Sequence, residues 1–197
     1  MVKLAAGRAE VKSFTGLTVG PLAAQWLPSC NADPKLEFTG KEYKEMSIRK
    51  AVLTDLGTVK DIVRVTISTI YPHYYPKGAV DFFLAHHNDE NIRRDIARGQ
   101  VFLCFAGMRA VTGTVTVKDN EICRLFVLPQ WQGRGFGREL LDFAENIAAG
   151  QYAEIVLDAS LPAKHIYQKR GYTETEFHMI KAGHGDFLCY DVMKKSI

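Results

Sequence analysis

The spacing of apolar residues predicts an alternation of helices and strands from residue 46 to the end of the chain. Apolar residues recur every three or four positions from Leu56 to Ile70, as on one face of a helix, and Thr54 stands before them as a candidate N-cap. A polar and aromatic loop, Tyr71–Gly78, leads to one or two helical segments that end near Gly99. Runs rich in β-branched and aromatic residues predict strands at 47–52, 101–106, 110–117, 122–128 and 154–159, and a final hairpin of 173–180 with 187–193.

A glycine-rich loop separates the predicted strand 122–128 from the helix that follows it. The strand stops at Pro129, the loop runs Gln-Gly-Arg-Gly-Phe-Gly over 132–137, and apolar residues at helical spacing continue to Gly150. The unpaired N–H groups at the start of such a helix, together with its dipole, can bind a phosphate, and Arg134 and Arg138 add positive charge. An ordinary strand-to-helix turn is the alternative interpretation.

The spacing of these glycines separates the possible phosphate ligands. A P-loop requires Gly-Lys-Ser/Thr five residues after its first glycine, where this chain has Arg138-Glu139-Leu140. A dinucleotide fingerprint requires its third glycine one place later than Gly137. The pattern Gln-x-x-Gly-x-Gly after Val-x-Pro resembles the coenzyme A signature of the GNAT N-acetyltransferase superfamily.

A second segment is similar to another motif of the same superfamily. A predicted strand, Glu154–Ala159, is followed by a short helix that Pro162 opens and Gly171 ends. The pattern Tyr-x-Lys-x-Gly-Tyr begins at Tyr167 and resembles the motif whose tyrosine faces the sulfur of coenzyme A. Seven residues earlier the family often has asparagine, and this chain has Ser160, which can still donate a hydrogen bond to the pantetheine arm. Without the first motif, Tyr167 would be read as an aromatic residue packed on the sheet.

Composition and charge narrow the class of protein further. With 197 residues and 47% apolar composition, the chain can bury one sizeable core. A net charge of +3 without a basic block does not favour nucleic acid as a partner. The four cysteines are widely spaced, which indicates reduced thiols in a cytoplasmic protein, and no run of signal-peptide or transmembrane type predicts a membrane association. His86-His87 lacks a third ligand at suitable spacing and is interpreted as surface or cap, so no metal is predicted.

The resemblance covers about three-quarters of the chain and implies a fold, a cofactor and a boundary. The fold would be α/β (α+β), a mixed and mostly antiparallel central sheet flanked by helices and splayed where acyl-CoA binds. Residues 46–197 would form the acetyltransferase domain, and residues 1–45 an irregular N-terminal extension of unassigned role with a short helix near Leu22–Leu27. The residues that would bind acetyl-CoA are Leu125, Phe126, Val127, Gln132, Gly133, Arg134, Gly135, Phe136, Gly137, Arg138, Ser160 and Tyr167.

The resemblance also implies a reaction, the transfer of an acetyl group from acetyl-CoA to a primary amine in a ternary complex. Tyr167 would protonate the departing thiolate, and Glu121 would accept the proton of the amine, directly or through water. Tyr71, His73 and Tyr74 lie in the loop that walls the acceptor site in this superfamily, although these rings could equally cover the edge of the core. The acceptor would be a small amine or a peptide amine, and a homodimer is compatible with the sequence.

Two other classes of function remain open from the sequence. A non-catalytic module could bind acyl-CoA in the same loop without acetylating an amine. A nucleotide-binding protein could place ATP or a dinucleotide there, although the glycine spacing disfavours it.

Overall fold

A computed structural model describes residues 46–197, which form a seven-stranded sheet with helices on both faces. The strand order is β1-β2-β3-β4-β5-β7-β6, and every neighbouring pair is antiparallel except β4 with β5. The mixed, mostly antiparallel sheet that the resemblance implies is therefore confirmed. The strands are β1 (Met46–Lys50), β2 (Val101–Ala106), β3 (Ala110–Lys118), β4 (Glu121–Val127), β5 (Glu154–Ser160), β6 (Thr173–Lys181) and β7 (Phe187–Ser196).

Five α-helices connect these strands, close to where the hydrophobic spacing predicts them. They are α1 (Leu56–Ile70), α2 (Lys77–His86), α3 (Asp89–Ala97), α4 (Phe136–Ala149) and α5 (Leu161–Lys169). Short 3₁₀ turns occupy Leu53–Asp55, Tyr71–His73, Pro129–Trp131 and Gly183–Gly185. The predicted loop Tyr71–Gly78 is shorter than expected, because its first three residues form a 3₁₀ turn and α2 already begins at Lys77.

The prediction that Thr54 caps α1 is wrong. A 3₁₀ turn precedes the helix and makes Asp55 its N-cap residue. The Asp55 carboxylate accepts a hydrogen bond from the Val52 N–H at 2.8 Å and pairs with Arg49 at 2.7 Å. The acidic side chain, rather than the threonine hydroxyl, therefore organises the entry to the helix.

Two hydrophobic clusters fill the space on the two faces of the sheet. One cluster lies with α4 and α5 and includes Ile122 of β4 and the alternating Ile155, Leu157 and Ala159 of β5. The other lies with α1, α2 and α3 and includes Phe126. Because side chains alternate along a strand, Val156, Asp158 and Ser160 of β5 are directed to the face of α1 and α2.

The sheet is splayed between β4 and β5, as the resemblance implies. Among the described residues these two strands share a single register pair, Glu121 with Val156, supported by a 2.9 Å hydrogen bond from the Val156 N–H to the Asn120 carbonyl. Beyond that pair the two strands separate, so their backbone groups face a gap at the centre of the sheet.

Some expectations from the sequence fall outside the described part of the chain. The extension 1–45, its short helix near Leu22–Leu27 and Cys30 all lie there. Within residues 46–197 the three cysteines, Cys104, Cys123 and Cys189, are free thiols. In the same range the structure has no helix with the length and apolar character that crossing a membrane requires.

Candidate active site

Strand β4 contains a bulge at the edge of the gap. Thr114 pairs with Phe126 and Thr116 with Cys123, so Arg124 and Leu125 of β4 oppose one residue of β3. Arg124 has a φ of 44°, in the left-handed region that residues other than glycine seldom adopt. Past the bulge, the Leu128 N–H donates to the Thr112 carbonyl at 2.9 Å. Alternation along an antiparallel ladder then turns the backbone groups of Val127 away from β3 and towards the gap.

The glycine loop follows β4 and leads directly into α4. Gly135 is the N-cap residue of α4 with a φ of 94°, and Gly133 has a φ of 74°. Both values are easy for glycine and strained for residues with a Cβ. The first N–H groups of α4, from Phe136 to Arg138, have no partner within the helix, which is the geometry that binds phosphate groups. This loop can therefore hold an anion without any contribution from a side chain.

The side chains of the loop divide into those that hold it in place and those open to solvent. Gln132 donates from Nε2 to the Val127 carbonyl at 2.9 Å and ties the loop to the end of β4. Phe136 is buried against Trp131, with ring centroids 5.4 Å apart, so only its backbone can face a ligand. Arg134 and Arg138 are exposed, and the Arg134 guanidinium lies 5.4 Å from the Trp131 ring centre.

Tyr167 projects from α5 into the interior beside the gap. Its side chain is buried and packs against Tyr172 at a centroid distance of 5.7 Å. Burial raises the pKa of the Tyr167 hydroxyl, as do the neighbouring Tyr71 and Cys123. Tyr71 belongs to the cluster on the opposite face of the sheet, so the Tyr167 hydroxyl lies close to residues of both faces. The hydroxyl stays protonated at neutral pH and can donate a proton or a hydrogen bond.

Glu121 and Cys123 lie on β4 on the face directed to α1 and α2. The Cys123 thiol donates a hydrogen bond to Glu121 Oε1 at 3.3 Å. Burial raises the pKa of Cys123, and the Glu121 carboxylate raises it further, so the thiol remains protonated. Glu121 is exposed, as its position at the start of a strand predicts.

Asp158 is a candidate that the sequence reasoning missed. It lies on β5, two residues beyond the Val156 that pairs with Glu121, and is directed to the same face as Glu121. Asp158 is open to solvent on one side, yet the surrounding protein and the carboxylates of Glu121 and Glu176 raise its pKa. Polar and apolar residues ordinarily alternate along a strand, so a polar residue between Leu157 and Ala159 does not mark a candidate site in the sequence.

The predicted acceptor loop is divided between the core and the surface. Tyr71 and Tyr75 are buried, whereas His73 and Tyr74 are exposed. The Tyr71 hydroxyl lies 3.4 Å from Ser160 Oγ, within hydrogen-bond distance. The cofactor-binding role predicted for Ser160 and the acceptor-binding role predicted for Tyr71 thus fall on one contacting pair across the gap.

A buried ion-pair network supports the bulge of β4, and no sequence pattern predicts it. Arg124 contacts Asp95 of α3, Thr116 of β3 and His87 at the end of α2. His87 forms the C-cap of α2, as the interpretation of His86-His87 as surface or cap allows. Within residues 46–197, no group of three or more histidine, cysteine, aspartate or glutamate side chains is arranged to hold a metal ion.

Comparison with known proteins places the fold and the loop in a family. Residues 70–187 match the profile of the Acetyltransferase (GNAT) domain, so the chain belongs to the GNAT family of acetyltransferases, whose members use acetyl-CoA. An N-alpha-acetyltransferase from Sulfurisphaera tokodaii is 26% identical over 152 residues, covering 72% of this chain and 89% of the relative. Family membership favours coenzyme A over the ATP and dinucleotide alternatives for the glycine loop.

Solved structures share the same fold at low sequence identity. A GCN5-related N-acetyltransferase from Rhodopseudomonas palustris superposes with a TM-score of 0.68 at 23% identity, covering 77% of this chain and 95% of the other. PaiA N-acetyltransferase from Thermoplasma acidophilum, solved in complex with coenzyme A, gives a TM-score of 0.59 at 21% identity, with coverages of 78% and 99%. These similarities support the fold assignment independently of the family profile.

Proposed function

We propose that this protein transfers the acetyl group of acetyl-CoA to a primary amine by direct attack in a ternary complex. The observation that carries the proposal is the position of the Tyr167 hydroxyl. It is buried beside the gap between β4 and β5, and its pKa is raised by burial. A phenol that stays protonated at this point is suited to meet the sulfur of a thioester.

In this proposal, acetyl-CoA is held by the loop and by β4. The N–H groups at the start of α4 bind the pyrophosphate, with Arg134 and Arg138 adding positive charge at the surface. The backbone of Leu125, Phe126 and Val127 holds the pantetheine arm and donates to the thioester oxygen as negative charge develops on it. Gln132 contributes indirectly, because its hydrogen bond to the Val127 carbonyl holds the loop in place.

The reaction then requires three proton transfers. The ammonium ion loses one proton to Glu121, directly or through water, and the neutral nitrogen attacks the thioester carbon, so that a C–N bond forms and the C–S bond breaks. Tyr167 gives its proton to the departing thiolate, and the second proton of the nitrogen returns through water to the Tyr167 phenolate. Asp158 lies on the same face as Glu121 and, with its raised pKa, is the second candidate for this base.

The acceptor class follows from the charges on this face and from the relative. The carboxylates of Glu121 and Asp158 favour an amine that arrives as a cation. The Sulfurisphaera tokodaii relative is named an N-alpha-acetyltransferase, which makes the α-amine of a peptide the first acceptor to test. We therefore propose a peptide α-amine ahead of a small polyamine or a free amino acid.

The test is an acceptor screen with acetyl-CoA, in which free thiol is followed over time. Peptides with a free α-amine, the same peptides blocked by acetylation, polyamines and amino acids form the panel. We expect thiol release with the free peptides and none with the blocked ones, and Tyr167→Phe as the inactive reference. In parallel, acetyl-CoA and free CoA should raise the melting temperature, while ATP and NAD should not. Binding of acetyl-CoA without transfer to any amine would support the non-catalytic module instead.

A further inference from the structure

Arg124 adopts a backbone conformation that its residue type does not favour. Its φ of 44° lies in the left-handed region, where an L-residue other than asparagine or aspartate is uncommon. Such a conformation persists when the surrounding structure determines it, and it is concentrated at functional sites. The contacts of the Arg124 side chain therefore indicate the role of this strained residue.

Three hydrogen bonds fix the Arg124 guanidinium in the interior. Nε donates to His87 Nδ1 at 3.1 Å, Nη1 donates to Thr116 Oγ1 at 3.2 Å, and Nη2 donates to the Asp95 carboxylate. The guanidinium side chain is 4% exposed and that of Asp95 is fully buried. The contacts come from α2, β3 and α3, so the bulge of β4 is attached to three other elements at once.

Two cations, Arg124 and Lys118, share one buried carboxylate in this network, that of Asp95. Asp95 also accepts an ion pair from Lys118 at 2.9 Å, and although burial opposes it, hydrogen bonds from Lys118 and Arg124 lower the pKa of Asp95. Burial and the charge of Arg124 lower the pKa of His87 to about 3, so that His87 is neutral and Nδ1 is free to accept. A network of this kind holds one geometry, because any rearrangement would leave a buried charge unpaired.

We propose that Arg124 is a positioning residue for acetyl transfer. Its guanidinium holds the bulge in the left-handed conformation, and the bulge sets the direction of the backbone that follows, Leu125–Val127. The N–H groups of Leu125 and Val127, which alternate with the β3-paired Phe126, are thereby aimed at the thioester oxygen before acetyl-CoA arrives. This is the preorganisation that stabilises a developing oxyanion. This inference rests on the proposed function, because it assigns the segment its role in that reaction.

The first test is Arg124→Gly, which removes the guanidinium and leaves a residue that tolerates the same φ. We expect kcat to fall by roughly 10²-fold, the usual loss when an oxyanion donor is misplaced. The KM for acetyl-CoA should change less than about threefold, because the loop at α4 still binds the pyrophosphate. The matched control is Arg64→Ala, since Arg64 is exposed and, within residues 46–197, pairs only with Asp61 on the same helix. Both constants should stay at the wild-type values.

Chemical rescue separates positioning from general destabilisation. Guanidinium chloride at low millimolar concentration should restore part of the kcat of Arg124→Gly by occupying the vacated site, and equal urea should restore none. A kcat that declines only in step with the folded fraction, without guanidinium rescue, would overturn the inference.

A measurement that does not depend on turnover distinguishes failure of the proposed acetyl transfer from failure of the positioning role of Arg124. With ¹⁵N-leucine labelling, the Leu125 amide is identified by its absence in Leu125→Ile, and its resonance should shift when acetyl-CoA binds. We expect that shift to be lost in Arg124→Gly and kept in Arg64→Ala. If wild type acetylates no amine while this pattern holds, the proposed function fails, and Arg124 positions the backbone for acetyl-CoA binding and not for transfer. An unchanged shift and an unchanged kcat in Arg124→Gly would refute the positioning role alone.

Discussion

The Tyr75 hydroxyl accepts a hydrogen bond from the Leu161 N–H at 2.7 Å and donates one to the Cys189 carbonyl at 3.1 Å. Tyr75 precedes α2, whereas Leu161 is the first residue of α5, the helix that carries Tyr167. The loop on the proposed acceptor side is thus fixed to the helix on the proposed cofactor side by one phenol group.

Removing that phenol hydroxyl should destabilise the domain. Tyr75→Phe leaves a carbonyl and an N–H without their partner, which costs about 1–3 kcal/mol when the groups are buried. The exposed Tyr74 is the matched control, and Tyr74→Phe should lie within about 0.5 kcal/mol of wild type. Urea denaturation of the three proteins gives both values, and equal stabilities for the two variants would contradict the role of this contact.

A side chain at Gly135 should weaken coenzyme A binding. Gly135→Val places a β-branched residue at a φ of 94°, which distorts the loop at the point where its N–H groups must converge. We expect calorimetry to detect no binding by Gly135→Val and only a mild loss for Gln132→Ala. Gly150 at the other end of α4 has a φ of −65° and is the control, since Gly150→Ala should bind normally.

A side chain at Gly137 has room beside β4. A Cβ built there lies 3.7 Å from the Val127 side chain, an ordinary contact distance. Gly137→Val should therefore leave the end of β4 in place and weaken coenzyme A only where its branched side chain approaches the pyrophosphate. Affinity equal to wild type in both the Gly135 and Gly137 variants would count against a phosphate-binding loop.

Tyr167→Phe should separate binding from catalysis. The substitution removes one hydroxyl, so the affinity for acetyl-CoA should hardly change while turnover falls roughly 10²–10⁴-fold. Tyr172→Phe removes a hydroxyl from the neighbouring ring in the same cluster and should keep most of the turnover. Near-normal turnover in Tyr167→Phe would mean that water protonates the thiolate and that the tyrosine only packs.

The pH dependence of kcat/KM should identify the base. If Glu121 accepts the proton, Glu121→Gln loses most rate at low pH, where the amine is protonated, and the loss shrinks at high pH. If Asp158 is the base, Asp158→Asn shows that behaviour instead, and the acidic limb of the wild-type profile lies above the ordinary aspartate pKa because the pKa of Asp158 is raised. A constant offset for both variants would exclude both carboxylates.

His87 should make the stability of the domain sensitive to acid. Its pKa is near 6.5 in the unfolded chain and about 3 in the folded one, lowered by burial and by Arg124. Between these values only the unfolded chain binds the proton, so the free energy of unfolding should decrease as pH falls from about 6.5 towards 3. His87→Gln should flatten this dependence in urea titrations, whereas substitution of the exposed His165 should leave it intact.

The parts of the site that the sequence predicts are those whose chemistry is local. The glycine loop and the helix of Tyr167 follow from spacing within about ten residues, because backbone conformation at Gly135 and Gly171 is decided there. Asp95 and Arg124 are 29 positions apart and meet only when α3 packs on the sheet. Nothing in either neighbourhood marks them as partners, and a φ above zero at an arginine contradicts the local preference on which sequence reasoning depends.

The separation of β4 from β5 has a consequence for selectivity. Because β4 and β5 share a single register pair, the sheet consists in effect of two smaller sheets, β1 to β4 and β5 to β7. Backbone hydrogen bonds do not determine the distance between these two sheets. Side chains that bridge them, such as the Tyr71–Ser160 contact, set that spacing instead. In the proposed site, the length of acyl chain that fits between the halves would therefore depend on a few replaceable side chains, and evolution could alter it without changing a single strand.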